Sequence, residues 1–228
     1  MHFSWFHLHP LLAQYPDHVL TEVICTLIII VMCLVARVVV GTPEEALIPH
    51  QGFSLRGMFE LIVEGMSGLV ESVMGPHNEH IIPLVGSVFL YILINNFFGL
   101  FPGFSPATDN LNTTLACGLF IFVMYNALGV REHGLAYFKH FLGPLIWLAP
   151  LMLPIEIVSH FVRPMSLGLR LFGNMTGDHT VLSIFLNLVP IGVPMIFYGL
   201  GMFVCFVQAF VFSLLSMVYI SLATAHDH

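Results

Sequence analysis

Residues 144–189 read PLIWLAPLMLPIEIVSHFVRPMSLGLRLFGNMTGDHTVLSIFLNLV. The run is apolar and far longer than the roughly 20 residues that cross a bilayer at a rise of about 1.5 Å each. It is predicted as one long helix. Its polar residues are not scattered. At about 100° per residue, Glu156, Ser159, Arg163, Ser166, Arg170 and Asn174 fall within about 40° of one line. Asp178 lies about 80° and His179 about 180° from Arg170 on the same wheel, and Pro164 can bend the helix upstream. A charged side chain at the centre of a membrane helix costs between about 2.5 and more than 10 kcal/mol. Arg170 therefore needs a partner or a wet cavity. Asp178 stands about 12 Å away along the axis, too far for a tight pair, and the single-turn neighbours Ser166 and Asn174 are neutral. The expected partner is an acid on another helix or another chain.

The whole composition agrees. The chain has 228 residues, 57% of them hydrophobic and 8% charged, with a mean hydropathy of +0.92. Soluble domains carry roughly 25% charged residues. So sparse a charge excludes a soluble enzyme and a disordered chain. Six Lys and Arg against thirteen Asp and Glu exclude a nucleic-acid-binding face. The fold class expected is an all-α polytopic membrane protein forming a single integral membrane domain over 1–228. Spanning helices are predicted at 19–40, 80–101 and 110–130, with long helices at 144–189 and 194–225. Over 53–74, Glu60, Glu64 and Glu71 share one face and apolar residues fill much of the rest. That segment is expected to be an amphipathic interfacial helix.

The first eighteen residues hold no Lys or Arg, so no cleavable signal is expected. Cys25, Cys33, Cys117 and Cys205 form no CxxC or zinc spacing, and buried, reduced thiols are expected. The thirteen His outnumber Lys and Arg about two to one. His7-x-His9, His77-x-x-His80 and His226-x-His228 sit at termini or run ends and make no metal-ligand cluster. No cofactor is expected. Arg37, Arg56, Arg131 and Lys139 flank or occupy alternate connections. By the positive-inside rule the N-terminus is outside and the C-terminus inside. The long helix then starts inside at Glu156 and runs outward to Asp178.

The stretch Pro164–Asp178, PMSLGLRLFGNMTGD, strongly resembles the signature of subunit a of F-type ATP synthases. NNFFGLFPG at 95–103, TDNLNTT at 108–114 and QAFVFSLLSMVYISL at 208–222 resemble further family segments in the same order. The resemblance covers most of the chain. It implies a proton-translocating stator subunit, non-catalytic within an enzyme complex. Its implied partners are the rotor-ring subunit c, the peripheral-stalk subunit b and the remaining synthase subunits, in a bacterial plasma membrane. The two long C-terminal helices would be tilted and pack against the rotor ring.

Arg170 matches the family's stator arginine, and Asn174 and Gln208 match polar residues along the proton path. Glu156 and Ser159 match the half-channel by which protons leave during synthesis. His179 matches a position where many relatives carry a Glu or a His for the half-channel by which they arrive. One departure stands out. Many relatives place an ionisable residue seven positions before the Gln, where this chain has Gly201. Asp178 supplies an acid instead, so Asp178 and His179 form the expected ionisable pair, with Gly201 leaving room. That pair favours protons over sodium. The rival reading, a stand-alone channel or secondary transporter, would show inverted repeats about a central site; none is visible.

Overall fold

In the computed structural model the described residues are 14–40, 55–76, 78–101, 103–134, 137, 149–188 and 192–224. The expected helix ends at 53–54, 144–148, 189 and 225 lie outside them, as do Pro102, Lys139 and the histidines 7, 9, 77, 226 and 228. Among the described residues six α-helices follow in order: α1 (Asp17–Val40), α2 (Leu55–Met74), α3 (Ile82–Phe98), α4 (Leu111–His133), α5 (Ala149–Leu188) and α6 (Val193–Thr224). Short 3₁₀ turns at Glu79–Ile81 and Ala107–Asp109 precede α3 and α4. The described residues contain no strand. The protein is an all-α, multi-pass membrane protein.

Among the described residues four helices, α1, α3 (with its leading turn), α4 and α6, are long and apolar enough to cross a membrane. α5, at 40 residues, is longer still and carries the polar stripe. Several boundaries differ from those expected. α3 stops at Phe98 rather than Phe101, because Gly99 and Leu100 close it with bonds to Asn96 and Phe97 carbonyls. α4 starts at Leu111, capped by the Asn110 side chain accepting from Asn112 N at 2.9 Å, and such caps satisfy an orphan N–H. It then continues through Arg131 to His133, past the expected end.

α3, α4, α5 and α6 form the packed centre, with α1 against α3 and α2 against α3 and α6. Val85, Ile92, Ile121, Tyr125, Leu167, Leu171, Phe212 and Ile220 are among its fully enclosed side chains. α4 and α5 meet almost backbone to backbone. A β-carbon on Gly118 would stand 2.5 Å from Pro164 O, and one on Gly168 would stand 2.8 Å from Thr114 O. Small residues permit this approach between membrane helices, where dispersion and hydrogen bonding drive association. Pro164 lacks the N–H that would bond His160 O; the Tyr125 hydroxyl of α4 donates to that carbonyl at 3.5 Å.

α2 is amphipathic as expected, but it also docks. Met66 and Val70 are buried against the bundle, while Leu61 and Val63 stay exposed with Glu64 and Glu71. Arg56 Nε donates to Glu60 Oε1 at 2.6 Å. The expectation of four buried thiols needs correction. All four are free, but Cys33 is exposed and Cys117 only half-buried. An apolar run does not reveal which of its faces meets lipid and which meets protein.

Candidate functional site

The polar stripe of α5 lies along an open flank of the bundle. Ser159, Arg170 and Asn174 are exposed, and Glu156, Arg163 and Ser166 are half-exposed. The adjoining flank of α5 carries Leu167, Leu171, Met175 and Leu182, all buried. Arg170 is thus presented outward at the margin of a packed face. Among the described residues, no acid forms an ion pair with it. Beside it, β-carbons added at Gly173 and Gly177 would meet nothing within 4 Å.

One helical turn from Arg170 the stripe joins α6. Asn174 Nδ2 donates to Gln208 Oε1 at 2.6 Å, and Gln208 is buried. Further along, Asp178 and His179 diverge around the end of α3. A β-carbon on Gly201 of α6 would stand 2.7 Å from Asp178 Oδ2 and 2.9 Å from Leu100 Cδ2. Asp178 therefore faces α6 at the one place where a glycine admits it. His179 faces the other way. Its Nε2 donates to Gly99 O at 2.6 Å. A carbonyl oxygen only accepts, so the proton sits on Nε2 and Nδ1 is left as the accepting nitrogen.

Arg163 does not join Arg170. Its guanidinium lies 5.9 Å from the Tyr219 ring centroid on α6, a cation–π approach. Glu156 and Ser159 lie at the far end of α5 from Asp178, about 21 Å from Arg170 for Glu156 by helical rise. The geometry brings together Arg170, Asn174, Gln208 and Asp178 with Gly201 along the α5–α6 seam, and leaves Glu156 and Ser159 apart.

Sequence reading missed several polar contacts. His160, to one side of the stripe, is buried, with Nε2 2.9 Å from Asn126 Oδ1 and Nδ1 3.3 Å from the Tyr125 hydroxyl. Glu22 of α1 accepts from the Tyr91 hydroxyl at 2.7 Å. Asp109, in the turn before α4, accepts a hydrogen bond from the Thr176 hydroxyl of α5. The only hint was that polar residues stood next to apolar runs. No group of three or more His, Cys, Asp or Glu among the described residues could hold a metal ion.

Comparison with known proteins bears on the same residues. The family described as ATP synthase A chain matches residues 20–221. The chain is similar to ATP synthase subunit a of Bdellovibrio bacteriovorus, at 56% identity over 100% of both chains. It is similar to the Geotalea daltonii subunit a at 42% identity, over 91% of this chain and 87% of that one. The Geobacter sulfurreducens subunit a is 43% identical over 87% and 86%. A match spanning nearly the whole bundle, α5 and α6 included, assigns this chain to the ATP synthase subunit a family.

Proposed function

We propose that this chain is the proton-translocating stator subunit of a bacterial ATP synthase, with two offset half-channels separated by Arg170. The observation that carries the reading is an exposed, unpaired arginine on an apolar helix between two separate sets of polar groups. One set is Asp178 and His179, the other Glu156 and Ser159. A continuous polar wire would leak protons without doing work. Two half-paths force each proton to ride on a group that moves between them. With the N-terminus outside, Asp178 and His179 belong to the outer half-path, by which protons arrive. Glu156 and Ser159 belong to the inner one, by which they leave.

The moving group is a carboxyl on each helix of the rotor ring of subunit c. Protonated, it faces lipid at low cost; ionised, it does not. Opposite Arg170 the ionised form is favoured. Two charges about 4 Å apart at an effective dielectric near 20 attract by about 4 kcal/mol before desolvation. That lowers the carboxyl's proton affinity and releases the proton inward. The site then passes Arg170 and is reprotonated from the outer side. The membrane potential supplies about 2.3 kcal/mol per charge per 100 mV. Arginine suits the post because it keeps its charge where a buried lysine can lose it. Asn174 and Gln208, bonded to each other, line the passage beside it. The subunit itself catalyses no bond chemistry. Subunit b and the remaining subunits hold it against the ring, in the plasma membrane with the C-terminus inside.

The open surface beside Arg170 supports the rotor contact, since Gly173 and Gly177 leave the helix backbone bare there. Cysteines at Gly173 and Gly177 should cross-link to cysteines on the rotor helices and not to subunit b. Cross-linking only to subunit b, or none at all in the assembled complex, would overturn the reading.

A further inference from the structure

The outer path read from α5 alone begins at Asp178 and His179. The fold brings a third titratable side chain to nearly the same level from a distant part of the chain. The turn Ala107–Asp109 folds back into the bundle and touches α1, α3, α4 and α5. Ala107 and Thr108 are fully buried. Gly103, at φ +91°, lets the connection double back, a conformation glycine adopts without strain.

Asp109 accepts from the Thr176 hydroxyl. Thr176 and His179 are three apart on α5 and therefore neighbours on one flank. The His179 ring and Pro106, the residue just before the turn, both stand against Gly99. A β-carbon on Gly99 would stand 2.8 Å from both His179 Nε2 and Pro106 Cβ. Near the end of α3, Asn95 Oδ1 and Asn96 Nδ2 have no hydrogen-bond partner among the described residues, and both residues are fully buried. Thr108 Oγ1 donates to Asn96 Oδ1 at 2.8 Å, which ties Asn96 to the residue next to Asp109. Buried polar atoms without protein partners are normally satisfied by internal water. On the other side of Asp109, Asn110 Nδ2 lies 3.4 Å from His18 Nε2 of α1.

We propose that Asp109 is a proton-relay residue of the outer half-path, passing protons between water held at Asn96 against the turn and the ring of His179. The inference rests on the function proposed above and adds a member to that path. The ionised carboxylate takes a proton from hydronium on the outer side and becomes the neutral acid. It gives that proton, through a water, to Nδ1 of His179 and returns to the carboxylate, and His179 hands the proton on toward the rotor carboxylate and is neutral again. The Gly99 carbonyl holds the Nε2 proton meanwhile. Thr176 occupies one carboxylate oxygen and leaves the other for the transfer.

A merely structural Asp109 would anchor the turn through Thr176 and do nothing else. Asp109→Asn keeps an oxygen acceptor for Thr176 but takes up no proton. Thr176→Val removes the anchor and keeps the carboxylate. In the assembled synthase in liposomes, Asp109→Asn should lower proton-driven ATP synthesis about tenfold, the scale of a supporting partner. The deficit should widen as outside pH rises, and Asp109→Glu should restore most of the rate. Thr176→Val should leave the shape of the outside-pH profile unchanged. Parental rates and profile in Asp109→Asn would overturn the proposal. So would equal losses in Asp109→Asn and Thr176→Val with neither profile altered. Arg170→Ala assayed alongside separates the two readings. If it loses synthesis while Asp109→Asn is normal, only the Asp109 role falls. If it retains synthesis, the site reading falls with it.

Discussion

Asn174 and Gln208 join the two longest helices through a direct 2.6 Å side-chain hydrogen bond, one turn from Arg170. Hydrogen bonds between membrane helices average only about 0.6 kcal/mol. Losing this one should therefore barely change how well the subunit holds together. Asn174→Leu is expected to leave the thermal stability of the complex close to parental and to slow proton-driven synthesis severalfold. A stability loss that accounts for the whole rate loss would make the pair structural.

Gly201 is where α6 makes room for Asp178. Gly201→Ala puts a methyl within 2.7 Å of Asp178 Oδ2, and the carboxylate must move. Misplacing a reacting group by about 1 Å can cost on the order of 100-fold. Synthesis should fall steeply in Gly201→Ala. Asp178→Asn should fall similarly, because the position and the charge serve one function. Full activity in Asp178→Asn would remove Asp178 from the path.

His179 offers Nδ1 as an acceptor while Nε2 is held by Gly99. His179→Leu should slow synthesis and alter its dependence on outside pH, since leucine has no ring nitrogen to take up a proton. Varying inside pH should affect parent and variant alike. A slower variant with the parental outside-pH profile would show that the ring only packs.

Gly118 allows α4 to lie against the backbone of α5 at Pro164. Overpacking a close-packed site costs roughly 1–3 kcal/mol. Gly118→Leu should separate the helices, lower the yield of assembled complex and reduce its thermal midpoint. Gly65→Ala, where a β-carbon meets nothing within 4 Å, should do neither.

The residues differ in how much of their role was legible. The α5 stripe was visible because helical periodicity converts spacing into a face, and the arginine's cost marks that face as functional. The match of Asp178 to Gly201 was expected from the family resemblance, in which an ionisable residue stands where this chain has Gly201, and the structure sets the two side by side. Asp109 could not be found this way. It lies in a turn with no period, and its partner Thr176 is 67 residues away. His160 and its contacts to Tyr125 and Asn126 were missed for a related reason. Periodicity says which residues share a face, not which helix that face meets. The same limit hid the exposure of Cys33, since lipid and protein both accept an apolar side chain.

The central claim is that Arg170 keeps two half-paths apart, and Arg170→Ala in reconstituted synthase tests it most directly. Proton-driven ATP synthesis should be lost, while passive proton flow through the membrane sector persists or rises because nothing separates the paths. Retained proton-driven synthesis in Arg170→Ala would contradict the account.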